Sequence, residues 1–228
     1  MSNYNRPPVI NPIPAVILAI LFGIVLVEIF LFFGFGGLVG KSGVAAERLI
    51  LIQNYGVPPD LASWMFETSN FSIDYVSRFI VYPFVNLSSL SVVFATVLLL
   101  ALGKIVGEVF SALSVVLIWF LSTTLAAFFY SMSATDGHIL VGSYPGIYGF
   151  VGAYTFVSWI ILRLAEEKNQ SQAFSLIVAL MSIQLLFSFV FGTGQLWIAD
   201  FAGFVIGFII SFFLTPGGIK RVISILRN

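Results

Sequence analysis

The sequence predicts an all-α polytopic membrane protein, in which six transmembrane helices form a bundle with a long interfacial loop between helices 1 and 2. Of its 228 residues, 59% are apolar and only 9% are charged. The mean hydropathy of +1.06 is outside the range of water-soluble domains. Six apolar segments approach or exceed the roughly 20 residues that a helix needs to cross the hydrocarbon core.

These predicted spans cover residues 13–38, 87–103, 109–131, 144–164, 172–191 and 197–215. Pro12 and Pro14 stand at the start of the first span, where a missing backbone N–H costs little. This segment is too long for a signal peptide and has no small-residue cleavage site, so we interpret it as a retained span. The connections after the second span are short, as in a compact bundle, which predicts a single domain over residues 1–228.

The loop between the first two spans, residues 39–86, has a different composition. It mixes apolar runs with charges, prolines, Trp64 and Tyr75. It is too interrupted to span the membrane, so we expect it to lie in the interface or to re-enter one leaflet.

The lysines and arginines predict the orientation. If the N-terminus is cytoplasmic, seven of them fall on the cytoplasmic side and three on the other side. The larger group is Arg6, Lys104, Arg163, Lys168, Lys220, Arg221 and Arg227, and the smaller is Lys41, Arg48 and Arg78. The positive-inside rule therefore predicts that both termini are cytoplasmic and that the long loop is on the outer side, as in a bacterial inner-membrane protein.

The composition also argues against several kinds of site. The formal net charge is zero, and no basic surface suggests nucleic acid. The sequence has no cysteine and a single histidine, His138, which argues against thiolate chemistry and multi-histidine metal sites. We therefore expect neither a metal nor a cofactor.

Two acidic residues fall within the predicted spans, where ionisable groups are costly and often functional. Glu28 lies in the first span, which contains no basic residue. It is either protonated, hydrogen-bonded to a neighbour or functional. Asp200 lies early in the last span, and Gly203 and Gly207 follow it with a spacing that lets another helix approach closely.

A complementary glycine face is predicted in the fourth span. Its glycines recur every three or four residues, at Gly142, Gly146, Gly149 and Gly152. Tyr144 and Pro145 stand at the helix start, which suits proline. We therefore expect the fourth and sixth spans to pack through these two glycine faces.

With these motifs the sequence resembles the rhomboid family of intramembrane serine proteases. In "GSYPGIYGFVG", Ile147, Tyr148, Gly149 and Gly152 match the second half of the family's nucleophile motif on the fourth helix. "ADFAGFVIG" at 199–207 is similar to the motif of the last family helix. Further family places are occupied by Arg78, Phe84, Asn86, Gly103 and Glu108. The resemblance covers about residues 78–215 and implies the six-helix rhomboid fold.

The residues that the resemblance places in the catalytic site are changed. Tyr144 stands in the place of the nucleophilic serine, and Asp200 stands in the place of the histidine base. Ser91 and Ala95 stand where a histidine and an asparagine help to hold the oxyanion. Because a serine needs a base within reach, and an oxyanion needs donors, the resemblance implies a degenerate site.

Ser143 offers an alternative nucleophile, with His138 as its base. It lies one residue before the family place, which on a helix is a rotation of about 100 degrees. We favour a structural role for Ser143 as the N-cap of the helix that follows. We also expect Tyr144 to donate a hydrogen bond to Asp200, which would tie the fourth helix to the sixth.

We therefore expect a catalytically inactive, rhomboid-like pseudoprotease. Its partners would be membrane lipids and the transmembrane helices of a client or of a larger membrane complex. The alternatives are a divergent serine endopeptidase that uses Ser143 and His138, and, with less support, a transporter in which Glu28 takes part in proton coupling.

Overall fold

The computed structural model describes residues 13–34, 41–165, 169–192 and 194–215. These residues are almost entirely helical, with one isolated β-bridge between Val57 and Leu140. The α-helices are α1 (Ala15–Gly34), α2 (Lys41–Tyr55), α3 (Leu61–Thr68), α4 (Ile73–Val81), α5 (Ser89–Val109), α6 (Ala112–Ser133), α7 (Tyr144–Leu164), α8 (Ser175–Phe191) and α9 (Trp197–Leu214).

Five of the helices, α1, α5, α6, α7 and α9, are long and apolar enough to cross a membrane. This confirms the predicted polytopic helical fold. The first predicted span extended to residue 38, and its last four residues lie outside the described part of the chain. α5 continues six residues past the predicted end at residue 103, because Lys104 and Glu108 belong to its final turns and do not terminate it.

The predicted span 172–191 is two elements in the structure. A 3-10 helix, Gln170–Phe174, leads into α8, whose 17 residues correspond to about 26 Å of helix. α8 is therefore shorter than the other spans and sits at the lower end of the length that crosses a bilayer.

The loop 39–86, which we expected to lie in the interface or to re-enter one leaflet, is mostly helical in its described residues. It contains α2, α3 and α4 and ends in a 3-10 helix, Tyr82–Phe84. Prolines and charges break the segment into short helices, none of which is long enough to span. Residues 39 and 40 lie outside the described part.

The buried apolar side chains form two clusters. The larger one surrounds α7, where Ile147, Phe150 and Phe156 pack among side chains of the neighbouring spans, including Trp119 and Leu99. The smaller cluster joins the loop helices to one end of α6 and includes Val57, Met65, Phe79, Tyr82 and Tyr130. α7 is thus the central helix, and its first turn lies between the two clusters.

Candidate functional site: the first turn of α7 and its surroundings

The backbone turns sharply just before α7. Gly142 has a φ of +95°, a left-handed conformation that favours glycine. Its N–H donates a hydrogen bond of 3.1 Å to the Tyr82 carbonyl oxygen. α7 then begins at Tyr144, with Pro145 at the second helical position, where its missing N–H is tolerated. This turn places Ser143 and Tyr144 at the boundary between the loop helices and the membrane bundle.

Ser143 occupies the N-cap position of α7, but the capping hydrogen bond that we predicted is not formed. Its φ of −86° and ψ of 3° differ from the extended backbone that aims a capping side chain at the first-turn amides. Pro145 removes one of those amides. Ser143 is fully buried, and its Oγ has no hydrogen-bond partner among the described residues.

Tyr144 reaches from α7 to the start of α5. Its Oη donates to the carbonyl oxygen of Ser91 at 3.4 Å. The Ser91 hydroxyl is itself used locally, because it donates to the Ser88 carbonyl oxygen at 2.7 Å and accepts from the Ser88 N–H at 3.1 Å. Ser88 Oγ in turn accepts from the Ser91 N–H at 3.2 Å. This reciprocal capping pair holds Ser91 as part of the α5 terminus.

Ala95 and Asn86 flank the same end of α5. Ala95 is fully buried in the larger apolar cluster and has no side-chain hydrogen-bond donor. Asn86 precedes α5 and is buried, and its Oδ1 has no hydrogen-bond partner among the described residues. This oxygen lies 3.4 Å from the position that a Cβ on Gly142 would occupy, so Asn86 faces the turn before α7.

Asp200 lies in the first turn of α9 and is buried. Its Oδ2 accepts a short hydrogen bond from Nε2 of Gln184 on α8. The prediction that Tyr144 donates a hydrogen bond to Asp200 is wrong, because the Tyr144 hydroxyl donates to Ser91 and Asp200 accepts from Gln184. The side-chain amide of Gln184 on α8, and not the Tyr144 phenol, is the hydrogen-bond donor to the Asp200 carboxylate.

The electrostatic influence of Asp200 nevertheless reaches the loop helices. Burial raises the pKa of the Tyr82 phenol well above its ordinary value, and the negative charge of Asp200 raises it further. The Tyr82 hydroxyl donates to the Thr123 carbonyl oxygen at 2.9 Å. Tyr82 therefore remains a neutral donor that fastens the loop to α6.

The two glycine faces meet where α7 crosses α9. A Cβ on Gly207 would collide with the Gly149 carbonyl, and a Cβ on Gly152 would collide with the Phe204 carbonyl. Gly203 lies in the same way against the Pro145 carbonyl. The backbones are thus in direct contact, as small residues permit in membrane helices.

Three of the predicted α7 glycines have other surroundings. A Cβ on Gly149 would meet the Ser122 side chain on α6, although the Gly149 carbonyl contacts Gly207. A Cβ on Gly146 would meet the side chains of Trp119 and Thr123 on α6, so this glycine faces α6 instead of α9. Gly142 lies outside the helix and serves the turn described above. The sequence periodicity predicted that all four glycines share one helix face. In the structure α7 packs against neighbours on several sides, so its glycines contact different elements.

His138 lies in the loop before α7 and faces the loop before α9. Its Nδ1 is 3.1 Å from Asp136 Oδ2, and its backbone N–H donates to Asp136 Oδ1 at 3.2 Å. Asp136 also accepts the backbone N–H of Gln195. Burial acts to raise the pKa of the Asp136 carboxyl, but hydrogen bonds from the Gln195 and His138 backbones, together with the His138 side chain, hold that pKa below its ordinary value. These contacts hold the loop before α7 against the loop before α9.

Glu28 has partners that the sequence did not identify. Arg48 on α2 donates from Nη2 to Glu28 Oε1 at 2.7 Å and from Nη1 to Glu28 Oε2 at 3.0 Å. Ser89 donates its hydroxyl to the same carboxylate. Nη1 of Arg48 also bonds to the Asn86 carbonyl oxygen at 3.0 Å. Glu28, which we expected to be protonated, hydrogen-bonded or functional, therefore forms an ion pair with Arg48.

No sequence motif pointed to Arg48, Ser89 or Gln184 as partners. The available signal was the presence of acids in apolar helices, which must find donors somewhere in the fold. Within the described residues, no group of three or more histidine, aspartate or glutamate side chains lies together to hold a metal.

Comparison with known proteins supports the same fold. No curated protein sequence matches the chain. The family model of the Rhomboid domain matches residues 74–217, which is more than half of the chain and includes α5 to α9 together with the turn before α7. The chain therefore belongs to the rhomboid family.

Proposed function

We propose that this rhomboid-family protein is catalytically inactive and binds transmembrane helices, either of clients or of the other subunits of a membrane complex. The observation that carries the proposal is the arrangement at the first turn of α7. Tyr144 occupies the place of the nucleophile and hydrogen-bonds to Ser91. Asp200, in the place of the base, accepts from Gln184. Neither residue has the partner that acyl transfer requires.

The surroundings of Ser143 and His138 also argue against a substitute dyad. A serine becomes a useful nucleophile when a base lies within hydrogen-bond reach. Ser143 Oγ has no such partner among the described residues, whereas His138 Nδ1 lies against Asp136. Ser91 and Ala95 supply no donors like those of an oxyanion hole, and each lost donor raises the barrier by about 3 kcal/mol.

Retention of the helical frame supports a binding role. The α7–α9 glycine contact and the capped start of α5 are intact. α8 presents a row of exposed apolar side chains, including Val178, Ile183 and Val190. Close packing and not hydrophobicity drives helix association in a bilayer, so the intact frame, and not the apolar character of α8, is what supports the binding of another helix.

A cleavage assay tests the inactive state. The purified protein in liposomes is mixed with a single-span transmembrane substrate, beside Ser143→Ala and His138→Ala variants. We expect no cleavage by any of the three. Cleavage by the parent chain that disappears in both variants would overturn the proposal in favour of a divergent serine endopeptidase.

A second experiment identifies the bound helices. The protein is purified in a mild detergent, and the co-purifying proteins are identified by mass spectrometry. One stoichiometric partner indicates a complex subunit, and a mixture of single-span proteins indicates a client-binding pseudoprotease. Recovery of the protein without any membrane partner would contradict both forms of the proposal.

The lysine and arginine distribution further supports a bacterial inner-membrane topology with both termini cytoplasmic. Five of the residues behind this proposal lie outside the described part of the chain, namely Arg6, Lys168, Lys220, Arg221 and Arg227.

Because the sequence has no cysteine, single-cysteine variants report topology without background. A membrane-impermeant maleimide added to intact cells should label Asn70→Cys and leave Glu108→Cys unlabelled. The reverse pattern would invert the proposed orientation.

A further inference from the structure

A groove lies between the loop helices and the membrane bundle, away from the first turn of α7. It has a volume of about 250 Å³. α3, α4 and α6 form its walls, with Met65, Phe66, Phe79, Ile80, Leu125 and Phe128 among the lining residues. Thr124 is the one lining residue with a hydroxyl group, and no charged side chain lines the groove.

The back wall of the groove is built from aromatic rings. Phe128 packs edge-on against Phe66 with 6.1 Å between ring centroids, and its ring lies 6.4 Å from that of Phe79. Phe66 in turn packs against Phe71 at 5.4 Å. Aromatic rings from α3, α4 and α6 thus contribute to the lining of the groove.

The depth of the groove in the membrane follows from the position of its residues on α6. Thr124 and Phe128 precede the end of α6, Ser133, by nine and five residues. At 1.5 Å per residue, the groove begins about 8 Å and ends about 14 Å below the end of the span. With a hydrocarbon core about 30 Å thick, this is the depth of the acyl chains of one leaflet.

Residues of α3 and α4 that do not line the groove have the character of the membrane interface. Trp64 of α3 and Tyr75 of α4 are in edge-to-face contact at 5.0 Å, and the Arg78 guanidinium lies 6.0 Å from the Tyr75 ring. Tryptophan and tyrosine concentrate at headgroup level. The α3–α4 pair therefore meets the headgroups through these residues and meets hydrocarbon at the groove.

The groove is continuous with the lipid-facing surface of the bundle. Leu121, Leu125 and Phe129 of α6 are exposed, and so are Phe71 and Ile80 on the loop side. Water is a poor occupant, because a stable site for water needs two to four polar partners. An apolar cavity of about 150 Å³ stays dry and takes up benzene, so the larger groove has room for a longer hydrocarbon segment.

From these observations we infer that the groove between α3, α4 and α6 is a binding site for one acyl chain of a bilayer phospholipid. The chain enters from the lipid side of α6 and lies against Phe128. The phospholipid then acts as a filler that holds the α3–α4 pair on α6. This inference is independent of whether the α7 site is catalytic.

Native mass spectrometry tests the inference. The protein is reconstituted into vesicles of phosphatidylcholine that carries a dibrominated acyl chain, extracted in mild detergent and weighed. The Leu125→Trp substitution fills the groove with a protein side chain. Leu121→Trp is the matched control, since Leu121 lies one turn away with 39% exposure, against 40% for Leu125, and does not line the groove.

We expect the parent chain and Leu121→Trp to retain one brominated lipid. Leu125→Trp should retain it about tenfold less, because the indole ring takes the space of the acyl chain and the loss of roughly ten van der Waals contacts weakens binding by that factor. Ala62→Leu fills the groove from the opposite wall and serves as the second variant if Leu125→Trp does not fold. Added phospholipid should raise the Tm of the parent chain and of Leu121→Trp but not of either filled variant.

Three results would overturn the inference. One is a parent chain that retains no lipid after extraction. Another is an equal loss of lipid in Leu121→Trp and Leu125→Trp. The third is the recovery of a polypeptide or a second copy of the chain whose binding is lost only in Leu125→Trp, since the groove would then be a protein interface.

Discussion

Arg48 and Glu28 form a bidentate ion pair that joins the first loop helix to the first membrane span, with nitrogen–oxygen distances of 2.7 and 3.0 Å. Ser89, at the start of α5, donates to the same carboxylate, and the Arg48 side chain is 9% exposed. Three elements thus meet at one charge pair. This geometry supports a structural role for Glu28 over a role in proton coupling.

Replacing Arg48 with methionine should destabilise the protein by about 3 to 5 kcal/mol, because it leaves the Glu28 carboxylate without its cation. The double variant Arg48→Met with Glu28→Met should recover most of that loss, since neither charge then remains buried. Unfolding in detergent gives the free energy of unfolding of the parent chain, of Arg48→Met and of the double variant. Glu108→Met, at an exposed helix end, is the control. Additive losses in the double variant would contradict the coupling.

Replacing Gly207 with alanine should lower the free energy of unfolding by about 2 kcal/mol, because overpacking costs 1 to 3 kcal/mol. The added methyl group would meet the Gly149 carbonyl, and neither backbone can move without separating α7 from α9. Thermal unfolding in detergent gives the measurement. Ile209→Ala, on an exposed face of the same helix, should change stability far less. A neutral Gly207→Ala would mean that the contact tolerates separation.

Replacing Gln184 with leucine should cost about 2 kcal/mol, the size of a hydrogen bond to a charged group, because Asp200 loses the donor that satisfies it. Adding Asp200→Leu to this variant should restore stability, since no buried carboxylate is then left unpaired. Chemical unfolding of the single and double variants tests this. Leu185→Ala, on the exposed face of α8, is the control. A double variant less stable than Gln184→Leu would refute the pairing.

Replacing Ser143 with alanine should leave stability unchanged or raise it by up to about 1 kcal/mol. The buried hydroxyl has no partner among the described residues, so its removal relieves a desolvation cost without breaking a bond. Thermal unfolding measures the effect. A loss of more than about 1 kcal/mol would indicate the capping role that the sequence suggested.

The contacts that Asp136 makes to Gln195 and His138, which join the loops before α7 and α9, should weaken in acid. Burial acts to raise the pKa of Asp136, but bonds from Gln195 and His138 outweigh it and hold that pKa below its ordinary value of 3.8. The folded pKa is therefore below the unfolded one. The contribution to stability is fully present above about pH 4 and is lost as the pH falls through the folded value.

Amide hydrogen exchange of the loop before α9, followed from pH 6 to pH 3, tests this expectation once the intrinsic exchange rates are corrected. Protection at Gln195 should fall below about pH 4 in the parent chain. Asp136→Asn should lose the pH dependence while the spans stay protected. A pH dependence that survives in Asp136→Asn would assign it to another group.

The spans and the family were readable from the sequence because they depend on local properties. Hydropathy marks each membrane helix wherever it sits in the bundle, and the glycine spacing of "GSYPGIYGFVG" persists whatever packs on it. Helix ends were less certain. Lys104 and Glu108 looked like the end of a span, but charged residues are tolerated in the last turns of a helix that reaches the interface.

The sequence by itself determined that the chain is a membrane bundle and that Glu28 and Asp200 lie within apolar segments, and its resemblance to the family predicts that serine and histidine are missing from the catalytic places. Only the tertiary structure decided where those acids find their donors. Glu28 is 20 residues from Arg48 and 61 from Ser89 along the chain, and Asp200 is 16 residues from Gln184. Partner choice depends on which helices touch and how they are rotated, whereas residue type and hydropathy are fixed before the chain folds.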